Sequence, residues 1–251
     1  MRLERLTGFL DETLDIDSFE SDSSINGLQV EGRREVRRIA LAVDACRESI
    51  SRTARMSAEM LIVHHGLLWG KERPVTGIFA RRLSILLEKG ISLYAAHLPL
   101  DCHPGIGNNA SLAAALGMHD TRPFGDYRGI SPGLCGSLPR KITVKGLCSK
   151  LRRLLSGPVQ AFSFGTGSIA TIGIVSGGGG SLVQAAADAG CDALLTGETS
   201  HAAYHTAREN GIDLVFAGHY ATEKAGVRAL GALLESTFGL ETRFIDLPTG
   251  L

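Results

Sequence analysis

A chain of 251 residues is long enough for one large domain or two small ones, with a sizeable buried core. Its 26 basic and 26 acidic residues cancel, so no global positive field exists to hold nucleic acid. Hydrophobic residues at 44% and charged residues at 21% match an ordinary soluble globular protein and exclude a disordered one. No apolar run reaches the ~18 residues of a membrane span. The N-terminal stretch MRLERLTGFLDETLD is amphipathic and lacks the apolar region of a secretory signal. Five cysteines (Cys46, Cys102, Cys135, Cys148, Cys191) form no CxxC pair. They argue against a disulfide framework and for a reducing cytoplasm.

In chain order, LERLTGFLDETL has helical apolar spacing and GLQVEG (27–32) reads as a short strand, preceded by the turn residues Asn26-Gly27. Residues 39–66, IALAVDACRESISRTARMSAEMLIVHHG, read as strand, helix, strand, and end on the adjacent pair His64-His65. The strand LYAA leads to His97 and Asp101 in HLPLD, where Pro99 predicts a turn, and ASLAAALG predicts a helix from Ala110. TVKGLCSKLRRLL (143–155) is a second amphipathic helix with Thr143 as its N-cap, and VQAFSFG (159–165) is another short strand. Residues 170–198, ATIGIVSGGGGSLVQAAADAGCDALLTGE, again read as strand, helix, strand. The run SGGGGS opens the helix, and its glycines suit a tight turn better than a phosphate cradle, since the Lys-Ser/Thr of a P-loop is missing. VFAGHYATE follows, with His219 and Glu223; Thr222 and Glu223 are expected to begin the helix that continues as AGVRALGALLE from Ala225, and TRFIDLP reads as a last strand.

The two halves repeat. Val43 aligns with Val175, an offset of 132, and the same offset pairs Ala58 with Gly190, Val63 with Leu195 and Gly66 with Glu198. Each half then offers an apolar strand, a histidine, three residues and a carboxylate. We therefore expect an α/β fold of two similar units related by internal duplication, 1–124 and 125–251, with the C-terminal strand free to join either. Each is expected to be a mostly parallel sheet flanked by helices. A metal site is expected at the interface of the units.

Ligands in open α/β sheets gather beyond the carboxyl ends of the strands. His64-His65, His97 with Asp101, and His219 with Glu223 all occupy such ends. Adjacent residues of a strand point to opposite faces, so a histidine pair where a strand gives way to a turn suits two ions better than one. Imidazole and carboxylate together suit zinc, iron, manganese or nickel. Two divalent ions against two carboxylates leave a surplus of about two positive charges, which favours an anionic ligand. In TGETSHAAYH, the residues Glu198, His201 and His205 are candidates for acid, base or substrate contact, and the two histidines are spaced as a metal pair on a helix.

The motifs INGLQVEG, VHHGLLW, HLPLDCHPGIGNNASLAAALG, GGGGSLVQAAADAGCDALLTGE and AGHYATEKAGVRAL run almost end to end. With them the chain resembles the dinuclear-metal-centre family of GTP cyclohydrolase 1 type 2 homologues, in its short bacterial form. The resemblance implies two metal ions held by His64, His65, Asp101, His219 and Glu223, with His97 standing beside the ligands or facing substrate. It implies a homohexamer, a trimer of dimers forming a hollow toroid, and hydrolytic opening of a guanine ring, with Glu198 or a nearby histidine such as His97 moving protons. Two other readings stand beside the hydrolase: a metal-trafficking or metallo-insertion protein without turnover, and a regulatory or DNA-repair interaction protein.

Overall fold

The apolar stripe Leu3, Leu6, Leu10 and Leu14 makes one face of the first helix, α1 (Leu3–Leu14), and all four side chains are buried. The structure, a computed structural model, describes residues 1–251 apart from Glu72 and Thr199. Two compact units account for the chain: residues 1–100 with 226–247, and residues 101–225 with 248–251.

In the first unit α1 is followed by β1 (Gly27–Val30), β2 (Arg38–Asp44), α2 (Arg47–Arg55), β3 (Met60–His65), α3 (Gly77–Lys89) and β4 (Ser92–Ala95). β2 and β3 are buried along almost their whole length. That is why they read as continuous apolar runs and not as alternating ones, the mark of a parallel sheet covered on both faces. α2 starts at a capping box in which Ser49 N–H donates to Cys46 Sγ and Cys46 N–H donates to Ser49 Oγ. Inside, Ala40, Leu61, Val63 and Leu93 of the strands meet Ile50 of α2 and Leu86 of α3.

The next elements are α4 (Leu98–Cys102), α5 (Asn108–Leu116), β5 (His119–Phe124), β6 (Gly133–Ile142), α6 (Val144–Leu155), β7 (Gln160–Phe162), β8 (Ile169–Val175), α7 (Val183–Asp188), β9 (Ala193–Thr196), α8 (His201–Asn210) and β10 (Asp213–Phe216). The expected turn at HLPLD is instead the short helix α4. Pro99 is its second residue, where the missing N–H would have had no helical partner anyway, so proline is tolerated there. Thr143 caps α6 as expected, its hydroxyl accepting from the N–H of Gly146. The pleat separates two cores in the second unit. Leu195 and Val215 face Leu147 and Leu151 of α6, while their neighbours Leu194 and Leu214 face Ala207 of α8 and Phe124.

The chain closes with α9 (His219–Phe238) and β11 (Glu241–Phe244). α9 begins at His219, three residues before the expected start at Thr222, so His219 is helical as well as Glu223. β11 runs parallel to β2 in the sheet of the first unit. That sheet has the order β1-β4-β3-β2-β11, parallel except for β1. The second sheet has the order β5-β6-β8-β9-β10-β7. Only its centre, β8-β9-β10, is parallel; β5, β6 and β7 add antiparallel pairings at its two sides. β5 and β6 are consecutive strands joined by a short connection, which suits antiparallel pairing. β7 follows the helix α6 and pairs antiparallel with β10 at the opposite side.

Candidate metal centre

In the first unit the polar side chains cluster where the parallel strands end, as the open-sheet rule requires. His64 and His65 are the last two residues of β3, and their rings lie 4.6 Å apart at 52°. His64 is buried, and its Nδ1 is 2.9 Å from the carbonyl oxygen of Ala96, just beyond β4. His65 stands opposite Asp44 in the β2–β3 register, and its Nδ1 is 2.9 Å from Asp44 Oδ1. His97 follows β4, with its ring 5.1 Å from His64 and 5.7 Å from His65. One ring nitrogen from each of the three imidazoles lies within 4.8 Å of the others. Trp69 closes this cluster edge-on to His97 at 5.1 Å.

His97 has its own support. Its Nδ1 is 3.0 Å from both oxygens of Asp22, and its backbone N–H donates to Asn26 Oδ1 at 2.8 Å. Burial pushes the Asp22 carboxyl up, but hydrogen bonds from His97, Asn26 and Ser24, with the charge of His97, outweigh it and bring the pKa down from 3.8 to about 2. Asn26, read from sequence as a turn residue, thus also holds His97 in place.

In the second unit the ends of β8, β9 and β10 carry Ser176, Glu198 and His219 respectively. Asp101 is buried, and its Oδ1 accepts from Asn108 Nδ2 at 2.8 Å and from Ser176 Oγ at 2.7 Å. His219 and Glu223 are four residues apart on the first turns of α9 and share a face. His219 Nε2 is 3.1 Å from Glu223 Oε1, and its Nδ1 is 3.3 Å from Glu198 Oε1. The hydrogen bond to Glu223 raises the His219 pKa, burial opposes it, and the charges of Glu223 and Glu198 add to it, so that it rises from 6.5 to about 9.

The glycine run has a steric purpose here. Gly177 has a φ of +61°, and a β-carbon on it would collide with the carboxylate of Glu223 and come within 3.0 Å of His219 Nε2. Its N–H donates to Thr222 Oγ1 of α9, and its carbonyl accepts from the N–H groups of Gly197 and Glu198. Room for the helix start, together with the turn itself, explains this glycine. Below Asp101 lies a cavity of about 310 Å³, lined by Cys102, His103, Ala110, Ala113 and Met118 among others. His103 accepts the N–H groups of Gly105 and Ile106 at Nδ1, which is the work of a turn residue. His201 and His205 lie on the exposed side of α8 with their rings 5.5 Å apart, and His205 is also edge-on to Tyr204.

Sequence reasoning missed Asp22, Asp44, Asn108 and Ser176. Asp44 carried a signal, being a carboxylate at the end of an apolar strand. Asp22 carried none, since an aspartate within SDSS reads as a solvated turn.

The model of the Duf34/NIF3 family (NGG1p interacting factor 3) matches residues 1–249. The chain belongs to the Duf34/NIF3 family. A curated relative from Pyrococcus abyssi, named GTP cyclohydrolase 1 type 2 homolog, is 45% identical over 100% of both chains. Two solved structures resemble this Duf34/NIF3 chain over 100% of both lengths. Protein ybgI, of unknown function, is 36% identical with a TM-score of 0.93. TTHA1606 of Thermus thermophilus is 40% identical with a TM-score of 0.92. Among the described residues no helix is long and apolar enough to cross a membrane, and the five cysteines of this family member form no disulfide.

Proposed function

We propose that this protein is a metal-dependent hydrolase of a nucleotide-like, anionic small molecule. Two divalent ions would be held by His64, His65, Asp101, His219 and Glu223. The observation that carries the reading is the state of the three histidines. Each has Nδ1 against an oxygen: Ala96 O for His64, Asp44 for His65 and Glu198 for His219. That arrangement fixes the ring and would leave Nε2 to bind an ion, the usual support of a metal-ligating imidazole. The donor set fits zinc, iron, manganese or nickel equally.

When bound, such ions activate water and polarise substrate oxygens. The chain's own part is to orient and to move protons. Glu198 holds His219 through Nδ1, and its exposed carboxylate is open to a substrate proton as well. His97 lies beside His64 and His65 and is the second proton carrier. Two divalent ions against Asp101 and Glu223 leave about two surplus positive charges, which supports an anionic substrate. The shared name of the relatives points to GTP as the first compound to try. We also infer that the chain works in the cytoplasm as a homohexamer, a ring of three dimers; light scattering should then give about six times the 26.6 kDa chain mass.

The test is to purify the protein with its native metal and count ions per chain. It is then incubated with GTP and a nucleotide panel while formate and ring-opened product are followed. Two ions per chain and turnover that vanishes in Glu223→Gln are the expected results. Two ions with no turnover across the panel would overturn the hydrolase and favour a metal-trafficking protein.

A further inference from the structure

Asp22 lies in a run of small polar residues, yet its side chain is 0% exposed. A buried carboxylate is costly unless donors surround it. Here the donors are in place: Ser24 N–H at 3.1 Å, Asn26 Nδ2 at 3.0 Å, Leu98 N–H at 3.2 Å and His97 Nδ1 at 3.0 Å. A purely architectural purpose, tying the loop around residue 22 to the start of α4, would be met by the Ser24, Asn26 and Leu98 bonds alone. The imidazole is an addition, and it is held twice. Asn26 fixes its backbone N–H, and both carboxylate oxygens face its ring nitrogen.

An ionised carboxylate only accepts hydrogen bonds, so the nitrogen that faces it carries the proton. Nε2 lies across the same ring and is the atom left to exchange protons, in a ring 5.1 Å from His64. We propose that Asp22 is a positioning residue: with Asn26 it locks His97 with the proton on Nδ1, so that Nε2 gives and takes protons in the reaction at His64 and His65. The reaction itself rests on the hydrolase reading above, whereas the locked ring does not. The pairing follows the logic by which a buried aspartate orients the histidine of a catalytic triad, here without a serine.

Neutron diffraction from crystals of the full-length, zinc-loaded protein in heavy water shows the proton directly. Deuterium on His97 Nδ1 is expected; an empty Nδ1 would overturn the proposal whether or not a substrate is known. The second arm is Asp22→Asn. Its amide cannot accept at both positions, so metal-dependent turnover should fall about 100-fold or more, with ions per chain and KM unchanged. Unchanged turnover in a folded, metal-loaded Asp22→Asn protein would refute the positioning role. Absence of turnover in the unmodified protein would end the hydrolase reading while the neutron result still decides the state of His97.

Discussion

Replacing Gly177 by alanine separates two costs that the geometry assigns to one position. The first is backbone. At φ +61° a β-carbon meets its own carbonyl, and the left-handed conformation costs about 1–2 kcal/mol for a residue other than glycine. The second is the site. The added carbon collides with the far end of the Glu223 side chain and not with backbone, so the carboxylate gives way while the fold stays. Displacing it breaks the 3.1 Å contact with His219 and misplaces one of the two proposed carboxylate ligands. Loss of a ligand's support alone lowers metal affinity about 10–100-fold, and loss of the ligand's position should do at least as much. Gly190 is the control. Its φ is +78°, and nothing lies within 4 Å of its would-be β-carbon. Gly190→Ala should therefore show the backbone cost alone. Urea denaturation of the metal-free proteins measures the first cost, and zinc titration against a competing chelator measures the second. Similar destabilisation in both variants, with zinc affinity lost only in Gly177→Ala, is the expected pattern. Equal zinc affinity in the two would refute the claim that Gly177 makes room for the ligands.

Asp44→Asn, which weakens the support of His65 Nδ1, should lower zinc affinity about 10–100-fold in the same titration while leaving metal-free stability nearly unchanged. His219, with its pKa raised from 6.5 to about 9, holds a proton between Glu223 and Glu198 in the metal-free chain. Its contribution to metal-free stability is complete below pH 6.5 and lost as pH rises through about 9. Metal must displace that proton, so calorimetry at about pH 7.5 in buffers of different ionisation enthalpy should report about one proton released from His219 per chain; no release would contradict the Glu223–His219 contact. For Asp22 the direction is opposite. A carboxyl brought from 3.8 to about 2, at about 1.4 kcal/mol for each pH unit, contributes about 2–3 kcal/mol that is present above pH 3.8 and lost as pH falls through about 2. The stability gap between the unmodified protein and Asp22→Asn should accordingly narrow over that acid range in a denaturation series, and a gap that stays constant would sink the assignment.

Much of the fold was legible because the apolar patterns are clean. The buried runs of β2 and β3, the stripe of α1 and the capped start of α6 each follow from local chemistry. The antiparallel additions to the second sheet were not legible, since hydrophobic runs give strands but not their pairing direction. Pro99 shows a further limit: the residue breaks a helix in its interior but suits its first turn, and spacing alone does not tell which applies. At the site, histidines and carboxylates at strand ends were visible as types. The groups that aim them were not. Asn108 and Ser176 hold Asp101 through bonds between residues 7 and 75 positions apart. Asp22 holds His97 across 75 positions. Nothing local in SDSS or IVSG announces such partners.

The placement of β11 has a consequence for biosynthesis. The sheet that holds β2 and β3 is finished on that side by residues 241–244, which leave the ribosome long after β3. At about 5–20 residues per second, the wait between emergence of β3 and of β11 lasts roughly 10–35 s. Through that interval the open hydrogen-bonding edge of β2 is a template for pairing with other nascent chains. Polypeptides cut short before residue 241 should aggregate far more readily than the loss of one short edge strand would suggest.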